Sequence, residues 1–125
     1  AGERMPVPVA HAEGRFVVRD ETVMDRLIAG RQVALRYVRP SWADDGGGTE
    51  PAPYPYNPNG AAGDVAGICD PSGRVLGLMP HPERNLDPWN HPHWTRQEAS
   101  TAPREVGEGL AFYRRMVEVA ESALV

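Results

Sequence analysis

Apolar and polar positions along the chain alternate with periods that mark out its local structure. Val23, Met24, Leu27 and Ile28 fall on one face at helical spacing. Asp20 precedes them, a residue type whose carboxylate caps helix N–H groups. Gly30 follows, where a left-handed residue would close the helix. Over residues 31–38 the period drops to two. Val33, Leu35 and Tyr37 lie on one side, and Gln32, Ala34, Arg36 and Val38 on the other, so a strand is expected there, stopped by Pro40. Residues 65–69 and 74–79 are two further apolar runs. Asp70-Pro71-Ser72-Gly73 joins them with the residues of a type I turn, which predicts a hairpin. Near the end, Val106, Leu110, Tyr113, Val117, Ala120 and Leu124 recur at steps of three and four, a single helical stripe that Pro103 is placed to open. Gly107 and Gly109 weaken its first turn. At the other end, residues 7–10 and 15–18 read as two strands joined by the tight loop His11-Ala12-Glu13-Gly14, although Pro6 and Pro8 fit a strand poorly.

Composition narrows this picture. The 125 residues suit one domain. Glycine and proline number 13 each, and Leu, Ile, Val and Phe are sparse. A loop-rich domain with a thin core, or part of something larger, is the expectation. Residues 40–64 form the loop-rich segment, and all five charges over residues 41–70 are acidic, as on a solvated loop. A formal net charge of −4 and a pI near 5.5 argue against a nucleic-acid binder. No apolar run reaches the length of a membrane span, no leader opens the chain, and the lone Cys69 fits a reducing compartment, so a cytoplasmic protein is expected.

The candidate chemistry lies at Met79-Pro80-His81-Pro82-Glu83-Arg84, directly after a predicted strand. In an extended backbone His81 and Glu83 face the same side. Pro82 biases His81 towards that geometry and stiffens the segment. An imidazole beside a carboxylate is the base-and-orienter half of a nucleophilic triad: the carboxylate sets the tautomer and the other ring nitrogen takes a thiol proton. Spacing alone also admits the plainer alternative of a Pro-rich surface turn with a solvated His–Glu pair, because His-x-Glu is short and common. His11 and Glu13 form a second candidate pair on the early loop. His91 and His93, with Trp89 and Trp94, read as a packed aromatic loop, since two histidines without a third ligand are a weak metal signal.

The MPHPER segment, preceded by Ala66-Gly67-Ile68-Cys69 and Gly73-Arg74-Val75-Leu76-Gly77-Leu78, closely resembles class I (triad) glutamine amidotransferases. Within them it is most similar to the glutaminase components of phosphoribosylformylglycinamidine synthases, from purine biosynthesis. Pro8-Val9-Ala10-His11-Ala12-Glu13-Gly14-Arg15-Phe16 resembles the family's Pro-Val-Ala-His-Gly-Glu-Gly-Arg-Phe; residues 32–38 match the strand after it, and Asn57-Pro58-Asn59-Gly60 matches an Asn-Pro-Asn-Gly-Ser loop. The likeness runs in order from about Met5 to Trp94. It implies a flavodoxin-like α/β fold, a mixed sheet with flanking helices, of which residues 1–125 are the C-terminal half. It implies His81 as the base for a cysteine thiol, Glu83 as its orienter, glutamine as substrate, and a pocket or interface role for His11 and Glu13. It also implies a synthetase partner that carries ATP and Mg, with no cofactor or metal in this chain.

Two departures stand out. Ala12 replaces a glycine, and the nucleophile of the family's Gly-x-Cys-x-Gly elbow is missing. Gly67-Ile68-Cys69 begins like an elbow, but Pro71 stands where a glycine and an entering helix are required. Cys69 is therefore expected to be a buried structural thiol, and the isolated chain to lack glutaminase activity. The alternative is a non-catalytic, partner-binding relative of the amidotransferases.

Overall fold

A computed structural model describes residues 2–40, 51–97 and 105–122. The chain divides into two compact units, one of His11–Met79 and one of Ala1–Ala10 with Pro80–Val125.

The first unit is built on a helix and a three-stranded sheet. Helix α1 spans Glu21–Ala29. Asp20 caps it as expected, its extended backbone aiming Oδ1 to accept from the Val23 N–H at 3.1 Å. The C-terminal cap falls one residue later than predicted. Gly30 has φ −77°, and Arg31 takes the left-handed conformation at φ 54°. The Gln32 N–H reaches Leu27 O and the Arg31 N–H reaches Ile28 O, the two bonds of a Schellman cap with Arg31 in its left-handed position.

That cap delays the next strand. Strand β1 is Val33–Arg36, shorter than the predicted 31–38, because Arg31 cannot be both cap and strand. Its burial alternates as expected, with Val33 and Leu35 turned inward. Strand β2, Val65–Cys69, and strand β3, Leu76–Leu78, form the predicted hairpin. Sheet order is β1-β2-β3, and both pairings are antiparallel, with no parallel pair among the described residues. Gly73 closes the turn at φ +71°, its N–H donating to Asp70 O at 3.0 Å. Asp70 also accepts from Ser72 Oγ and from the N–H groups of Ser72, Arg74 and Val75, and these bonds hold its carboxyl down at about 2. The core is thin: Val65, Ala66, Ala61 and Ala52 are the buried apolar residues among those described.

The early hairpin does not form. Residues 7–10 and 15–18 carry no strand pairing. The Pro8 carbonyl accepts from the His81 N–H and the Phe16 carbonyl from the Ala62 N–H, so their backbone groups go to distant segments rather than to each other. Only the loop between them survives, as a turn with the Gly14 N–H on His11 O at 2.7 Å.

The second unit contains short 3-10 turns at Pro82–Arg84 and Pro88–Asn90, helix α2 at Trp94–Gln97 and helix α3 at Glu108–Ser122. Pro103 and Leu124 lie outside the described residues. Helix α3 starts at Glu108, beyond Val106, because the flanking N–H groups of Gly107 and Gly109 bond to Leu86 O and Asn85 O. Only its start is buried. Further along, Tyr113 and Val117 of the stripe are exposed, and so are Met116 and Val119 beside it.

Candidate functional site

Pro82 sets the local structure of the His81 segment. It lacks an N–H and holds φ near a helical value, so it opens the 3-10 turn with His81 immediately before it. The Arg84 N–H donates to His81 O at 3.1 Å and the Asn85 N–H to Pro82 O at 3.0 Å. The expected extended rail is therefore absent. His81 has φ −114° and ψ 82°, and the chain bends straight after it. Pro82 restrains the residue before it but leaves Glu83 free to turn. The pair forms all the same: His81 Nδ1 lies 2.6 Å from Glu83 Oε1. The bond from His81 is the first cause holding the Glu83 carboxyl below the usual carboxylate range. The two side chains are 34% and 49% exposed, so both can be reached from solvent. A hydrogen on Nδ1 leaves the lone pair of the neutral ring on Nε2.

His11 and Glu13 are not paired with one another. His11 Nδ1 lies 3.2 Å from Asn59 Nδ2, and its Nε2 shares a hydrogen bond of 3.0 Å with Tyr37 Oη. Burial pushes the Tyr37 hydroxyl up from its ordinary value. Asn59 also donates to the carbonyls of Ala12 and Gly14, which clamps the turn, while Glu13 is exposed. Ala12, the residue standing where the family pattern has glycine, adopts φ 47°, a conformation that glycine takes without strain. Asn57 is buried and likewise shapes its own loop: its amide donates to Ala61 O and Asp64 Oδ1 and accepts from the Ala61 N–H.

Cys69 ends β2 and leads into the hairpin turn, with no helix after it, so an elbow is excluded there. It is only half-buried, contrary to the expected buried thiol, because it sits at the strand end beside the turn. Trp89 and Trp94 meet edge to face at 5.9 Å, and the rings of His91 and His93 are 5.9 Å apart. Among the described residues no three His, Cys, Asp or Glu side chains cluster as metal ligands.

Sequence reasoning missed Asn85 and misread Gly107 and Gly109. Asn85 is 1% exposed, and its Nδ2 donates to Pro6 O and to Glu108 Oε2. A Cβ on Gly109 would lie 2.8 Å from Asn85 O, and one on Gly107 would lie 2.9 Å from Asp87 O. These glycines let the start of α3 close onto the segment behind the His–Glu pair. Helix propensity registers a glycine's weakness and is blind to such an approach.

The sequence model of the CobB/CobQ-like glutamine amidotransferase domain matches residues 1–119. The chain belongs to that family. A relative from Methanococcus maripaludis (strain C5), phosphoribosylformylglycinamidine synthase subunit PurQ, is 42% identical over 118 residues, 90% of this chain and 42% of the relative. The subunit of the same name from Methanothrix thermoacetophila is 43% identical over 91 residues, 73% of this chain and 32% of its own length. That from Treponema denticola is 47% identical over 81 residues, 63% of this chain and 28% of its own. The chain thus spans less than half the length of the curated relatives it matches. Family membership agrees with the α/β reading, a sheet with helices, as part of a class I, flavodoxin-like domain.

Proposed function

We propose that this chain is the C-terminal half of one class I glutaminase domain, serving phosphoribosylformylglycinamidine synthesis in the cytoplasm. The observation that carries the reading is the His81–Glu83 contact at 2.6 Å, in a chain of the amidotransferase family. Glu83 orients the ring, and His81 Nε2 takes the proton of a cysteine thiol. The thiolate attacks the side-chain amide carbon of glutamine. Collapse of the tetrahedral adduct expels ammonia, which takes the proton from His81, and leaves a thioester. Water, deprotonated by the same ring, then releases glutamate and restores the thiol. The ammonia passes to a synthetase partner, which holds ATP and Mg and forms the amidine. The relatives' name, a synthase subunit, supports such a partner.

The nucleophile in this reading is not Cys69, whose strand turns back as a hairpin. It comes from the upstream part of the family domain, and the 125 residues alone do not cleave glutamine. The test mixes the chain with a separately made N-terminal half of a family member and measures glutamate release. Activity only in the mixture, abolished by His81→Ala, is expected. Release by the chain alone, lost on His81→Ala, would overturn the assignment of the nucleophile. No gain on mixing would favour a non-catalytic partner-binding domain.

A further inference from the structure

We propose that Asn85, anchored on Glu108, is a positioning residue for the His81–Glu83 pair. The inference rests on the reading of that pair as base and orienter, and it concerns what keeps the pair in register.

A solvent-exposed His–Glu contact loses much of its attraction to side-chain entropy unless the backbone beneath it is held. Here the turn is gripped at both ends. Upstream, the His81 N–H donates to Pro8 O at 2.8 Å. Downstream, Asn85 Nδ2 donates to Pro6 O at 3.2 Å and to Glu108 Oε2 at 2.9 Å. Two carbonyls of one short segment, Pro6 and Pro8, thus receive the two ends of the turn. The main chain of Asn85 completes the grip, its N–H closing the turn on Pro82 O and its carbonyl accepting from the Gly109 N–H at 2.8 Å. Asn85 therefore links the turn, the Pro6 segment and the first turn of α3.

The amide's other end points the same way. Asn85 Oδ1 is buried and has no hydrogen-bond partner among the described residues. An idle buried acceptor is unfavourable, so packing alone would be better served by an apolar residue of similar volume. What the side chain contributes is its donor. Displacing a catalytic group by about 1 Å can lower a rate roughly a hundredfold, so a hold of this kind bears on the aim of Nε2.

The test reads the His81 tautomer from ring nitrogen shifts by NMR in the 125-residue chain, with His81→Ala used only to assign the signal. Glutaminase activity is not needed. Glu83→Ala should lower the Nδ1–H to Nε2–H ratio about fivefold, the worth of one hydrogen bond. Asn85→Ala and Glu108→Ala should each lower it about twofold or more, while Glu108→Gln, whose amide oxygen still accepts from Asn85, should keep it. Helical circular dichroism is recorded alongside. If Asn85→Ala loses α3, the two Glu108 variants decide. An unchanged ratio in Glu108→Ala, or equal ratios in both Glu108 variants, overturns the proposal, and a lower melting point alone marks a merely structural role. A fall on Glu83→Ala without one on Glu108→Ala removes the positioning role and leaves the base-and-orienter reading standing. No fall on Glu83→Ala removes both.

Discussion

Gly109→Ala sets helix propensity against packing, and the two predict opposite signs. Replacing a glycine inside an exposed helix stabilises it by about 1 kcal/mol. Gly109 is buried, and its Cβ would run first into the Pro82 carbonyl oxygen and stand 2.8 Å from Asn85 O, deep inside van der Waals contact. Both neighbours are main chain and cannot rotate away. The start of α3 must therefore back off by about an ångström or more, which stretches or breaks the Gly109 N–H bond to Asn85 O. Overpacking of this kind costs about 1–3 kcal/mol, and a weakened hydrogen bond adds up to about 1 kcal/mol. The expected net effect is destabilisation by about 1–3 kcal/mol. Urea unfolding followed by helical circular dichroism and tryptophan fluorescence should show a midpoint lower by roughly 1 M, given ordinary urea slopes. Gly77→Ala is the matched control. Its Cβ would meet nothing nearer than Ile68 at 3.8 Å, so it should be neutral or stabilising by up to about 1 kcal/mol. A Gly109→Ala chain as stable as the parent would refute the close-approach argument.

Ala12→Gly and Arg31→Gly relieve left-handed strain at φ 47° and 54°, and each should stabilise by about 0.5–1 kcal/mol in thermal melts. Gly30→Ala, not left-handed and with Arg26 O at 3.1 Å from the added carbon, should gain nothing. Asn57→Ala strands the buried N–H of Ala61, while the Ala61 carbonyl keeps the Asp64 N–H, and should cost about 1–3 kcal/mol by urea unfolding. Asp70, with its folded carboxyl at about 2 against an ordinary 3.8, contributes stability that is full above the ordinary value and lost as pH falls through the folded one. Melting points of Asp70→Asn and parent should therefore converge across that window.

Legibility tracked how local the deciding interaction is. The β2–β3 hairpin was legible because Asp70, Pro71 and Gly73 hold the whole turn within four residues, and Asp70 supplies the acceptors itself. Helix α1 was legible at its start, where Asp20 bonds three residues on, and one residue off at its end. There the choice between Gly30 and Arg31 rested on which backbone N–H groups reach Leu27 and Ile28, and residue identity pointed to the wrong one. The early strand pair failed because Pro8 and Phe16 spend their carbonyls on residues dozens of positions away.

The candidate site divides along the same line. His81 and Glu83 were found from a two-residue spacing, and they do meet, but through a 3-10 turn in place of an extended rail. A single proline admits both backbones, and each brings i and i+2 within reach when the carboxylate arm is long enough. The spacing was thus informative about the contact and silent about its support. That support, from Pro6 and Pro8 to His81 and Asn85 and from Asn85 to Glu108, joins residues that share no periodicity, capping pattern or motif. Gly107 and Gly109 were its one visible trace, since two glycines in a helix's first turn oppose the stripe around them. A local rule broken twice in three residues is a sign that another backbone passes close by. Read that way, the glycines point to a tertiary approach at the head of α3 without any coordinates.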